Sequence, residues 1–110
     1  MPVRNVRRRY LHFRVDSALP LNEKDIWDAT KDSVDSLFGL KGLSDAELTL
    51  VGYDEKAATG ILRCRHTEVR RVRASLAFLT LIKGQAAAIR VDRVSGTIRR
   101  IKKKTGYGEP

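Results

Sequence analysis

The sequence predicts an α+β sandwich in the order β-α-β-β-α-β, a four-stranded antiparallel sheet covered by two helices and followed by a basic tail. Three observations predict it. Short stretches with period-two apolar alternation recur at "YLHFRV", "AELTLVGY", "ATGILRCR" and "AAAIRVDRVSGTIRR". Two stretches with helical spacing and capping residues, "LPLNEKDIWDATKDSVDSLFG" and "TEVRRVRASLAFLTLIKG", separate them. A short connection at Asp54 and Glu55 joins the two middle strands as a hairpin.

Each element follows from its residues. In the first strand Leu11, Phe13 and Val15 alternate with Tyr10, His12 and Arg14, which gives one buried face. The first helix opens on Asn22 as N-cap, with Asp25 three residues on and Leu21 and Ile26 at the staple positions. Its stripe is Ile26, Thr30, Ser33 and Leu37, widened by Trp27, Val34 and Phe38, and Gly39 stands where a left-handed cap belongs. Leu48 and Leu50 point inward on the second strand, Leu62 and Cys64 on the third. The second helix is capped by Thr67, carries Val69, Val72, Leu76 and Leu79 as its stripe, and ends at Gly84. Phe78, Leu81 and Ile82 make its second half apolar nearly all round, so that half is either deeply covered or partner-facing. The last strand alternates through Ile89 and Val91 and then changes parity at Val94 and Ile98, which predicts a β-bulge or bend between Asp92 and Gly96.

The order is that of ferredoxin-like and RRM-like domains. A single domain spans 1–98 and the basic tail 99–110. Right-handed crossovers give strand order 4-1-3-2, so strands one, three and four lie side by side. Charge is divided along the same line. Residues 16–55 hold ten acids against three lysines, a net −7, while the rest of the +9 chain carries a net +16. The order therefore predicts one basic surface from Arg7, Arg8, Arg9 and Arg14 with Arg63, Arg65, Arg90 and Arg93, and with Arg99, Arg100, Lys102, Lys103 and Lys104 beside them. Such a surface suits a phosphate backbone, each contact adding salt-sensitive affinity without reading sequence; the alternative is a charged face kept for solubility.

Other chemistries fit less well. Base stacking on the open sheet face wants aromatics, and only Tyr10 and Tyr53 are offered there, which favours recognition of folded RNA by backbone and shape. Arg70 and Arg71 stand at a helix start, where the dipole disfavours cations, so a phosphate contact accounts for them better than local stability. Asp28, Asp32 and Asp35 share a helix face without a His or Cys, which reads as a solvated face and not a metal site. His12 and His66 are isolated, and Cys64 reads as a small buried hydrophobe. An acylphosphatase-like anion cradle would need glycines after the first strand, where "VDSALPLNEKD" has none, and no nucleophile has a neighbouring base. The chain alone is expected to be catalytically inactive. One cysteine, no long uncharged apolar run and no lipidation motif lead to the expectation of a soluble cytoplasmic protein without membrane contact.

The segments "RRRYLHFRV", "TGILRCRHTEVRRVRASLAFL" and "RVSGTIRRIKKK", in this order, resemble the ribonuclease P protein component 2 family of archaea and eukaryotes, from Arg8 to about Lys104. Arg9, Tyr10, residues 60–65, Arg70, Arg71 and residues 95–100 carry the match. The resemblance implies an RNA-binding subunit of the ribonucleoprotein endonuclease that removes 5′ leaders from precursor tRNA. It implies that the RNA holds the Mg2+ and does the chemistry, and that no cofactor is bound by the protein. It also implies ribonuclease P protein component 3 as partner and self-association in a two-plus-two assembly. The acidic first helix, with Trp27 and Phe38, and the apolar end of the second, with Phe78 and Leu81, are the expected protein contacts. A general RNA-binding module of the same fold, such as a ribosome-associated protein, is the alternative.

Overall fold

The computed structural model describes residues 7–108. The elements are β1 (Arg8–Ser17), α1 (Glu23–Ala46), β2 (Thr49–Asp54), β3 (Thr59–Arg65), a 3-10 turn (His66–Glu68), α2 (Val69–Phe78), β4 (Leu81–Ile82), β5 (Gln85–Ser95) and α3 (Ile98–Thr105). The sheet runs β2-β3-β1-β5-β4, with antiparallel pairing at every junction for which a register exists. The expected order 4-1-3-2 is present, with β5 as the fourth strand, and β4 is added at the edge. Residues 1–6 of the expected domain and 109–110 of the expected tail lie outside the described residues.

Alternation sets the core. Leu11, Phe13 and Val15 point from β1 toward α1 and α2 and pack with Leu62 and Cys64 from β3, Ile89 from β5, Ile26 from α1 and Val72 and Leu76 from α2. The α1 cap forms as its residues require: Asn22 Oδ1 accepts from the Asp25 N–H at 2.8 Å, and Asp25 Oδ2 accepts from the Asn22 N–H at 3.1 Å. The two helices cross where Ser33 Oγ donates to the Ser75 carbonyl at 2.6 Å.

The structure departs from the expected elements in four places. Gly39 does take positive φ (73°), but a further short helical segment follows it, so α1 continues to Ala46 and ends at Glu47, the residue in the left-handed region (φ 47°, ψ 51°). α2 stops at Phe78 instead of Gly84. Lys83 (φ 53°) and Gly84 (φ 76°) form the two-residue turn of a hairpin between β4 and β5, a geometry that matches the right-handed twist of strands. Thr67 lies inside the 3-10 turn, and among the described residues no side chain caps α2. The tail is helical: Thr97 Oγ1 accepts from the Arg100 N–H at 3.2 Å, and Gly106 (φ 73°) closes the helix. The expected boundary at residue 98 is thus the first residue of α3, and Ile101 in the middle of that helix is fully buried.

The bulge expected in the last strand is present. His12 pairs with Arg93 and Phe13 with Val91, so Asp92 is the extra residue. A second irregularity, between Leu50 and Gly52 in β2, was not legible. It turns Tyr53 onto the helix side, where its ring stacks on Phe13 at 6.1 Å between centroids. Tyr53 is therefore not on the opposite sheet face, as simple alternation would place it. The stack passes directly over Gly60, where an added Cβ would stand 2.5 Å from Phe13 Cζ and 2.7 Å from the Gly52 carbonyl oxygen.

Candidate nucleic-acid interface

The sheet face away from α1 and α2 collects the cations by register. Arg8 stands opposite Arg65 and Tyr10 opposite Arg63 between β1 and β3. On the other side of β1, His12 stands opposite Arg93 and Arg14 opposite Arg90. Three adjacent strands thus contribute arginines to one face, as the strand order requires. Arg9 alternates to the helix side opposite Cys64, yet its guanidinium turns back to the Arg8 carbonyl at 3.0 Å and approaches Gly96.

This face is not open. α3 crosses it from the end of β5, making the domain three-layered. Ile101 docks from α3, and beneath the helix Ile61 is fully buried and His12 is 3% exposed. Tyr107, just past the helix, meets the His12 ring edge-on at 6.1 Å and reaches Gly52 on β2 with its hydroxyl. Burial, and then the negative charges of Asp54 and Glu23, raise the Tyr107 pKa, so this hydroxyl stays protonated at neutral pH. Since α3 occupies the centre of the sheet face, Tyr10, half-buried opposite Arg63, is the one aromatic among the described strand residues left to bases there, too little for a stacking platform.

What α3 covers, it replaces with charge. Ile98 and Ile101 are on one side at helical spacing, and Arg99, Arg100, Lys102, Lys103 and Lys104 are all exposed. The last three lie in the final turn, where cations complement the carbonyl end of the helix.

Four of the expected RNA-binding residues have acidic partners inside the protein. Glu47, held at the α1 terminus, reaches Arg8 at 3.7 Å and Arg65 at 3.4 Å. Asp92, placed outward by the bulge, accepts from or pairs with His12 Nδ1 at 2.6 Å and from Arg14 Nε at 3.2 Å. Arg71 pairs with Glu68 at 3.2 Å and lies over the Phe38 ring at 5.6 Å. Local stability therefore does explain Arg71, contrary to the expectation from the helix dipole, because Glu68 lies one turn before it. Arg63 bonds Thr49 Oγ1 at 3.4 Å. Arg70, Arg90, Arg93 and the five α3 cations are exposed and form no ion pair among the described residues; Arg7 is exposed at the start of β1. Alternation and charge made the arginines legible. Glu47, Asp92 and the buried His12 were missed because their roles depend on an extra helical segment and on the bulge.

The expected protein contacts fall in three separate places. Trp27 is half-buried beside Leu48 and Leu50, with Lys31 Nζ 5.0 Å from its ring centroid. Phe38 sits under Arg71. Phe78 and Leu81 stand together at the rim of a groove beside α1, each 63% exposed. Cys64 is buried, and burial with nearby Glu68 pushes its thiol up to about 11, so it is inert at neutral pH. Among the described residues, no helix is long and apolar enough to cross a membrane.

The model of the Rpp14/Pop5 family matches residues 9–105. The chain is similar to ribonuclease P protein component 2 of Methanosarcina mazei, 38% identical over 104 residues that cover 94% of this chain and 88% of that protein. Against ribonuclease P protein component 2 of Pyrococcus furiosus it is 36% identical over 103 residues, with 94% and 86% covered. A chain in a cryo-EM structure of yeast ribonuclease MRP has the same fold, with a TM-score of 0.71 at 9% identity over 96% of this chain and 95% of that one.

Proposed function

We propose, from the premise that this chain belongs to the Rpp14/Pop5 family, that it is a protein subunit of ribonuclease P which binds and stabilises the catalytic RNA for removal of 5′ leaders from precursor tRNA. The observation that carries the RNA-binding role is the exposed cationic side of α3, continuous with arginines from β1, β3 and β5 on one sheet face. A rigid helix fixed by Ile101 holds its charges at set spacings, so less side-chain and backbone freedom is lost when phosphates are met than with a loose tail. Each neutralised phosphate releases counterions and lowers repulsion between RNA segments. Less magnesium is then needed for the RNA to fold and to hold its substrate.

In this reading the RNA does the chemistry and carries the Mg2+. Ribonuclease P protein component 3 is the proposed protein partner, and self-association completes a two-plus-two assembly. The test is to tag this chain in its native cell, purify it at moderate salt and identify what accompanies it. Enrichment of ribonuclease P RNA and component 3 is expected; ribosomal or unselected RNA would overturn the assignment in favour of a general RNA-binding module.

A further inference from the structure

We propose that the groove between α1 and the end of α2 with β4 is a docking site for an apolar segment of another protein flanked by lysine or arginine. The inference rests on the reading of this chain as a subunit of an assembly that contains other proteins.

The groove has a volume of about 500 Å³, room for several side chains. Its floor is apolar in effect: Ile82 and Leu79 contribute hydrocarbon, and the Ser33 hydroxyl is already committed to the Ser75 carbonyl at 2.6 Å. Phe78 and Leu81 form one rim, and both are 63% exposed. Two large apolar side chains left in water side by side, where the chain leaves a helix for a two-residue strand, are the pattern of an interaction site.

The opposite rim selects the occupant. Asp25, Asp28 and Asp32 line it, with Lys83 as the only lining cation among the described residues. Lys83 is 3.7 Å from Asp25, and Lys31 is 3.9 Å from Asp28 on the same helix; Asp32 has no ion pair among the described residues. The groove is thus net negative on a chain of net charge +9. It also lies on the helical side of the sheet, away from α3 and its cations. Nucleic acid is disfavoured there by charge of the same sign. A second copy is disfavoured too, because a two-fold contact would set the same carboxylates against each other. A basic-flanked apolar segment buries Phe78 and Leu81 and answers Asp28 and Asp32 at once.

The experiment places benzoylphenylalanine at Phe78, and separately at Leu81, in the tagged full chain of the native assembly, followed by irradiation and sequencing of what is joined to it. Both positions are exposed enough to take the larger ring without disturbing the core. The expected product is a segment of a different protein in the assembly with apolar residues at the crosslink and at least two lysines or arginines within a helical turn. Asp28→Asn with Asp32→Asn should lower the yield about fivefold without moving the melting temperature. Crosslinking to RNA, to a second copy or to an acidic segment, or no crosslink from either position, would overturn the proposal. Ribonuclease P RNA is measured in the same sample. Its presence without the crosslink sinks the groove alone, whereas its absence sinks the proposed function.

Discussion

Replacing Ile101 by Ala tests whether α3 is held on the sheet or merely rests there. Ile101 is fully buried, and Ile61 beneath it is also completely buried. The substitution removes three carbons, worth roughly 2.4 kcal/mol at about 0.8 kcal/mol per methylene, with a cavity term on top. An eight-residue helix has little stability of its own in water, so its docking energy sets a ceiling: once the loss exceeds it, α3 detaches and the rest of the domain stays folded. Hydrogen exchange at residues 98–105 should then rise by about 30-fold or more, while amides in β1 and β3 keep their protection. RNA affinity should fall by several-fold, with the salt dependence nearly unchanged, since the cations remain but their spacing is lost. Unchanged exchange in α3 would refute the claim that Ile101 anchors it.

Three further outcomes follow from particular contacts. Gly60→Ala should destabilise the domain by about 1–3 kcal/mol in urea titration, because the new methyl meets both the Phe13 ring and the Gly52 carbonyl. Glu47→Gln frees Arg8 and Arg65, both partly exposed, so stability should change by less than about 1 kcal/mol while RNA affinity at low salt rises about two- to fivefold. For Cys64, the folded state holds the proton from an ordinary thiol pKa of about 9 up to about 11 while the unfolded chain loses it, so stability should fall as pH rises across that window. Cys64→Ala should remove the part of that fall that begins near pH 9.

The residues made the sheet legible because the helix-side face of each central strand is apolar and buried, and alternation records that directly; the burial of His12 and Ile61 on the other face, beneath α3, leaves no such record. The bulge at Asp92 was also readable, since it changes the parity of a long strand with apolar residues on both sides of it. The bulge at Val51 was not, because β2 offers too few apolar positions to show a change. β4 is two residues long and has no period, so Leu81 and Ile82 read as helix; the Lys-Gly pair at 83–84 was the overlooked hairpin signal. α3 had Thr97 and Gly106 as caps and Ile98 and Ile101 three apart, but the density of cations made it read as a tail. The arginines of the basic face were legible from charge and strand order together, whereas their acidic partners depended on tertiary placement.

The measurement that bears most directly on the central claim is the salt dependence of RNA binding after Arg99, Arg100, Lys102, Lys103 and Lys104 are all replaced by Gln. These side chains are exposed, so the fold should persist, as far-ultraviolet circular dichroism would report. If all five meet phosphates, the slope of log affinity against log salt should become shallower by about 3.5 to 4.5, and cleavage by the reconstituted ribonucleoprotein should require more magnesium. An unchanged slope and an unchanged magnesium requirement would contradict the assignment of α3 as the RNA-facing element.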